Sequence, residues 1–118
     1  WGFWAVEERV SGRFIGFVGL HVPSDKLPFS PCVEVGWRLA KPYWGLGYAT
    51  EAAQSAIAFG FQQLHLKELV AFTAIANLKS RAVLERLGMR LDCEFDHPQL
   101  PVESWLRRHV LYRLHSPV

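Results

Sequence analysis

The stretch from Ala49 to Leu64 constrains this chain most. Ala49, Ala52, Ala53, Ala56, Ile57, Gly60, Phe61 and Leu64 recur at three- and four-residue steps, which places them on one face of a helix. Because that face is mostly alanine and glycine, the helix can lie close against a sheet. Strand patterns flank it on both sides. In Val33–Ala40, "VEVGWRLA", Val33, Val35, Trp37 and Leu39 face one way and Glu34, Gly36 and Arg38 the other. The following "ELVAFTAI", residues 68–75, is apolar on both faces, which predicts a central strand with helices on each side.

The rest of the chain completes a mixed sheet. "FWAVEE" (3–8) and "RFIGFVGLH" (13–21) read as a hairpin turning at Ser11-Gly12, where glycine reaches positive φ. Pro23, Pro28 and Pro31 punctuate the segment 22–31 and predict a loop. A second helix is predicted from about Lys79 to Leu87, with Asn77 near its start and Gly88 as a left-handed stop. Two strands close the chain, "MRLDCEFD" (89–96) and "WLRRHVLYRL" (105–114), joined by the loop 97–104. The expected class is α+β, in the order β-β-β-α-β-α-β-β, as a single domain over residues 1–118.

Composition excludes several function classes. Half of the 118 residues are apolar and 20% are charged, which fits a soluble globular domain rather than a disordered or fibrous chain. A formal charge of +2 with dispersed Lys and Arg predicts no nucleic-acid footprint, yet is compatible with an anionic ligand. No apolar run approaches the roughly 20 residues of a membrane span, and "WGFWAVEERV" has no leader pattern, so no membrane association and a cytoplasmic location are expected. Cys32 and Cys93 lack metal-ligand spacing and read as buried or half-buried thiols, and the histidines are scattered. No metal site is expected.

Gly45 and Gly47 stand two apart just before the first helix, in a turn without acid or base. The first N–H groups of a helix lack intrahelical partners and sit at the positive end of its dipole. Glycines there let the chain turn and let an anion approach, and Thr50 can add a hydroxyl donor, so phosphate is the natural guest. No G-K-[ST] or G-x-G-x-x-G follows, and a glycine pair before a helix also serves as a tight connection.

The run "WGLGYATEAA" together with "NLKSRAVLERLGM" resembles the Gcn5-related N-acetyltransferases (GNAT), most of all the branch of ribosomal-protein N-terminal acetyltransferases, RimJ and RimL. The resemblance covers the whole chain. It implies the GNAT acyl-CoA N-acyltransferase fold with a splayed parallel pair, "VEVGWRLA" and "ELVAFTAI", and an acetyl-CoA cosubstrate. The family's Q/R-x-x-G-x-G/A pyrophosphate loop falls on Trp44, Gly45, Leu46, Gly47, Tyr48 and Ala49. Trp44 replaces the usual Gln or Arg, which implies a phosphate site resting on main-chain donors more than on a cation. The pantetheine arm is expected to enter the splay and pair with backbone near Trp37 and Leu39. Asn77 matches the family asparagine that bonds pantetheine, with Ser80 the next polar position, although Asn is also an ordinary helix N-cap.

Acetyl transfer to an amine needs a neutral amine held at the thioester, an oxyanion donor and a proton sink. A backbone N–H near Trp37 or Arg38 is the expected oxyanion donor, and no acyl-enzyme is required. Glu34 is the first candidate base, the alternative being a solvent-facing residue paired with Arg38. Ser80 and Tyr112 are the other catalytic candidates; Tyr112, on the face of Val110 and Leu114, also reads as a core tyrosine. Leu84 stands where many family members place a tyrosine acid. Glu51 fits the helix dipole rather than catalysis. Trp1, Phe3, Trp4, Phe14 and Phe17 read as core, as a dimer surface or as an acceptor pocket.

Family members ordinarily begin with a strand and two helices upstream of the hairpin, so the resemblance implies either a fragment or a partner chain over the exposed sheet, and a homodimer is expected. The expected function is acetyl-CoA-dependent N-acetylation of a primary amine, on a protein N-terminus, a polyamine or another small amine. A shortened CoA-binding module with little turnover is the alternative.

Overall fold

The computed structural model describes residues 2–23, 32–98, 101, 104 and 107–117. In chain order it contains β1 (Phe3–Glu7), β2 (Phe14–His21), β3 (Glu34–Leu39), a short 3-10 turn (Lys41–Tyr43), α1 (Tyr48–Gln62), β4 (Glu68–Ala74), α2 (Leu78–Arg86), β5 (Arg90–Asp96) and β6 (Arg108–His115). This is the expected order. The proline loop lies outside the described residues from position 24 to 31, as do Trp1 and residues 105 and 106, where the last strand was expected to begin.

Among the described residues six strands form one sheet in the order β1-β2-β3-β4-β6-β5, antiparallel everywhere except at β3–β4. The hairpin closes as expected, with Gly12 at φ +69° and its N–H on the Glu8 carbonyl at 2.8 Å. Helix α1 ends before Leu64 because His65 takes a left-handed φ of 55° and folds the chain back, so that Leu64 and Leu66 pack on the core from outside the helix. Gly88, at φ +82°, stops α2, and the Met89 N–H returns to the Leu84 carbonyl at 3.1 Å.

The alternation in the strands decides which residues α1 and α2 cover. Val18, Leu20, Val35, Leu69, Ala71, Val110 and Tyr112 meet Ala53, Ala56, Ile57 and Leu84 in one core. Gly60 sets the closest approach, since a β-carbon there would lie 3.1 Å from Leu20 Cδ1. Both helices therefore lie on one face, correcting the expectation of helices on each side of β4. The opposite face of β4 is covered by side chains: Val70 and Leu111 are buried with Phe95, and Cys32 and Phe72 pack against them. Cys93 is exposed on the edge strand β5, contrary to its expected burial, because only Phe95 on that strand reaches the core. Among the described residues no helix is long and apolar enough to cross a membrane.

The parallel pair is where the sheet opens. Strands β3 and β4 share one register position, Glu34 opposite Val70, with the Val70 N–H on the Val33 carbonyl at 2.9 Å. Beyond it the two strands diverge. Each runs directly toward the start of a helix, β3 toward α1 and β4 toward α2.

Candidate active site

Past the vertex at Glu34, β3 offers main-chain groups with no strand to receive them. The Val33 carbonyl accepts the Val70 N–H, the Glu34–Val70 bridge engages the Val35 N–H as well, and backbone direction alternates along a strand, so the Val35 C=O and the N–H and C=O of Trp37 and Leu39 turn toward the gap. The even positions turn toward β2, as the Ala40 N–H on the Ile15 carbonyl at 2.8 Å illustrates. Of the two expected oxyanion donors, Trp37 N–H therefore faces the gap and Arg38 N–H does not. The Leu39 carbonyl already accepts the indole N–H of Trp44 at 2.8 Å. That bond gives Trp44 a role its family position did not suggest: it ties the glycine turn to the strand.

The turn then enters α1 with Gly45 at φ +76° and Gly47, the N-cap, at φ +82°. No side chain caps the helix, and a β-carbon at either glycine would meet nothing within 4 Å. The space over the first-turn amides is thus open, and both φ values favour glycine. Thr50 adds a buried hydroxyl without a partner among the described residues. From the far side, Tyr48 donates its hydroxyl to Glu8 Oε2 at 2.7 Å, fastening the helix start to the first hairpin. Ser11 donates its hydroxyl to Glu8 Oε1 at 2.7 Å, and this bond together with that from Tyr48 holds the Glu8 carboxyl below its ordinary range.

These elements enclose a cleft of about 450 Å³ between the α1 and α2 starts. Of the residues expected to bind the cofactor, Trp37, Leu39, Trp44, Gly45, Gly47, Tyr48, Ala49, Thr50, Asn77 and Ser80 line it. Leu46 does not; it is 59% exposed on the outside of the turn. Asn77 caps α2, accepting the Ser80 N–H on Oδ1 at 3.2 Å, and reaches the cleft wall as well. Two cations that sequence reasoning passed over also line it, Lys79 and Arg86. The Lys79 ammonium lies 5.2 Å from the Trp44 ring centroid. The cleft wall thus carries positive charge on α2 rather than on the loop, beside the open amides expected to hold phosphate. The helical spacing of the two cations along Lys79–Arg86, facing the glycine turn, was the signal that could have revealed them.

Glu34 stands at the vertex, on the helix-free face. It is not the solvent-facing partner of Arg38. Its side chain is 12% exposed, and Oε1 lies 2.9 Å from Nε2 of His21, directly across the β2–β3 pair. Burial pushes its carboxyl up to about 8 and pulls the His21 imidazole below its ordinary value, so both groups are biased to their neutral forms. Beside them Phe3, Phe17, His21, Gly36, Trp37 and Arg38 border a trough of about 420 Å³. The aromatic group expected to act together is divided, for Trp4 packs on Phe59 of α1 and Phe14 lies edge-on to Phe17 outside the trough. Tyr112 is placed apart from the cleft, buried with its hydroxyl accepting the Arg81 Nε–H at 3.2 Å. Among the described residues no cluster of metal-ligating side chains occurs.

Known proteins share this fold. A family model described as an acetyltransferase (GNAT) domain matches residues 1–90. The protein YkkB of Bacillus subtilis is 28% identical over 113 residues, which are 96% of this chain and 60% of that one. An FsC-acetyl coenzyme A-N(2)-transacetylase of Aspergillus fumigatus is 35% identical over 82 residues, covering 66% of this chain and 35% of its own. Among solved structures, a GNAT-family acetyltransferase from Bacillus anthracis superposes with a TM-score of 0.79 at 25% identity, over 97% of this chain and 66% of that one. A ribosomal-protein-S5-alanine acetyltransferase from Vibrio fischeri superposes equally well, TM-score 0.79, at 24% identity over 98% of this chain and 61% of its own. The chain thus spans about 60% of the length of the curated relative YkkB.

Proposed function

Since the chain belongs to the acetyltransferase (GNAT) family, we propose that its cleft binds acetyl-CoA and that it transfers the acetyl group to a primary amine by direct attack in a ternary complex. The observation that carries this reading is the single-point contact of β3 and β4, which opens a gap from the glycine turn to Glu34. The diphosphate rests on the first-turn amides of α1 and the Thr50 hydroxyl, within reach of the charge of Lys79 and Arg86. The pantetheine amides pair with the gap-facing main chain of Trp37 and with Asn77. The thioester then lies near the vertex.

The amine arrives from the helix-free face, over Gly36, with Phe3 and Phe17 flanking its carbon frame. Its ammonium N–H breaks as an O–H forms on the Glu34 carboxylate. The freed nitrogen lone pair attacks the carbonyl carbon, and Trp37 N–H donates to the oxyanion. Collapse breaks the C–S bond, the nitrogen gives up its second proton to solvent to become the amide, and the thiolate leaves to take a proton from solvent. A base titrating near 8 is well matched to an amine at neutral pH. Tyr112 supports the core in this scheme, and Ser80 polarises the cleft wall.

We take the acceptor to be an amine of the kind that two structural neighbours are named for, a ribosomal-protein alanine acetyltransferase and a spermidine N-acetyltransferase. We assign the protein to the cytoplasm, where acetyl-CoA is plentiful, and expect a homodimer, which light scattering would refute by giving a monomer mass. Turnover is tested by release of free thiol from acetyl-CoA against a panel of peptide N-termini, polyamines and aryl amines. Turnover that disappears in Gly47→Glu supports the enzyme. Thermal stabilisation by CoA with no thiol release from any amine makes the chain a CoA-binding module instead.

A further inference from the structure

The carboxyl at the vertex is not free to turn, and what restrains it comes from the neighbouring strand. His21 and Glu34 are directly opposed in the β2–β3 register, so their side chains leave the sheet on the same face and meet at 2.9 Å. His21 is itself held. The Phe3 ring lies against the imidazole with centroids 5.3 Å apart, and the imidazole Cε1 lies over Gly36, 3.9 Å from where a β-carbon would stand. Its other nitrogen, Nδ1, is buried and has no partner among the described residues. No described side chain except His21 bonds the Glu34 carboxyl.

We propose that His21 is the positioning residue for Glu34: its Nε2–H fixes Oε1 across the strand pair and leaves Oε2 to take the proton of an amine delivered at the vertex. The inference rests on the acetyl-transfer reading above for its chemistry but on the strand register for its geometry. When Glu34 is ionised, the imidazole donates from Nε2 and keeps a lone pair on Nδ1; the proton gained from the amine goes to the carboxyl, and His21 does not change its charge. The donor favours the carboxylate against the burial that opposes it. Other charged or titratable groups facing this region are Arg38 on β3, Cys32 just before it, and Glu68 of β4, which is bound by Arg113 at 2.6 Å and His115 at 3.3 Å. Among the described residues only His21 bonds the Glu34 carboxyl.

The test compares His21→Leu, which removes the donor, with His21→Gln, whose terminal amide can donate from the position of Nε2. The readouts are the pH profile of kcat/KM, thermal stabilisation by CoA, and direct NMR titration of the Glu34 carboxyl carbon. The expected result is an acid limb and a carboxyl titration both moved upward by about one pH unit in His21→Leu, a roughly tenfold loss at pH 7 that recovers at high pH. Stabilisation by CoA stays intact, and His21→Gln returns most of the shift. A limb and a carboxyl titration that stay in place in His21→Leu overturn the assignment. So does an equal loss at every pH. If the unaltered protein releases no thiol with any amine, the acetyl-transfer reading fails, while the NMR titration still decides whether His21 governs Glu34.

Discussion

Two glycines with the same backbone strain separate the ligand role of the glycine turn from its structural one. Gly47 and Gly88 both have φ +82°, and a β-carbon at either meets nothing within 4 Å. Alanine at either position therefore costs the left-handed penalty alone, about 1–2 kcal/mol, which lowers Tm by roughly 4–8 °C per kcal/mol in a small domain. Gly88 lies at the end of α2 outside the cleft, whereas Gly47 opens α1 beneath the proposed diphosphate. A methyl at Gly47 occupies space that only a ligand would fill. If it weakens CoA binding tenfold, the stabilisation at a fixed saturating CoA concentration falls by about 1.4 kcal/mol relative to Gly88→Ala, by mass action. Thermal shift in the presence and absence of CoA reads both quantities in one titration. Equal losses of CoA stabilisation in the two variants would refute the phosphate assignment and leave the turn as a tight connection.

Further outcomes follow from individual contacts. Glu34 has a folded value of about 8, above its ordinary 4.5, so the native state keeps a proton that the unfolded chain has released. Stability should fall by about 1.4 kcal/mol per pH unit across the interior of that window, with no such fall below it, and Glu34→Gln should flatten the slope in denaturant melts at successive pH values. A Lys79→Ala variant should bind CoA several-fold more weakly and with a shallower salt dependence in calorimetry, since it removes one cation from the cleft. Arg81→Met should destabilise by about 1–3 kcal/mol in urea, because it strands the buried Tyr112 hydroxyl, and Tyr112→Phe in the same background should restore part of the loss.

Patterns with a short period were legible in the sequence. The alanine face of α1, the alternation of β3 and the stop at Gly88 are local, and local sterics fix them. The glycine turn was legible for the same reason: positive φ at Gly45 and Gly47 is a property of three or four residues. What the sequence hid depends on which strands become neighbours. Lys79 joins the cleft only because β3 and β4 point α1 and α2 at each other, and Glu34 meets His21 rather than Arg38 because β2, not the next turn of its own strand, stands beside it. The placement of both helices on one face was hidden too, since a strand apolar on both sides reads the same whether helices or neighbouring aromatic side chains cover it.

The same reasoning explains why the site sits where pairing stops. A parallel strand pair gains a hydrogen bond at each step it stays in register, so abandoning the pairing after Glu34 and Val70 forfeits several bonds of about 0.5–1.5 kcal/mol each. Trp44 recovers one of them by donating to Leu39, but the Val35 carbonyl and the gap-facing groups of Trp37 are left to other partners. A ligand carrying amides along a flexible arm supplies the missing strand, and it does so at the point where the open α1 terminus can hold a charged end. The unpaired length of β3 and the uncapped helix are therefore one device: the cost of leaving both unsatisfied in the free protein becomes binding energy when a molecule with an amide arm and an anionic end fills them together. An arm without the diphosphate, such as free pantetheine, should bind far more weakly than CoA, and a diphosphate without the arm likewise, with the loss in each case exceeding what the remaining half retains.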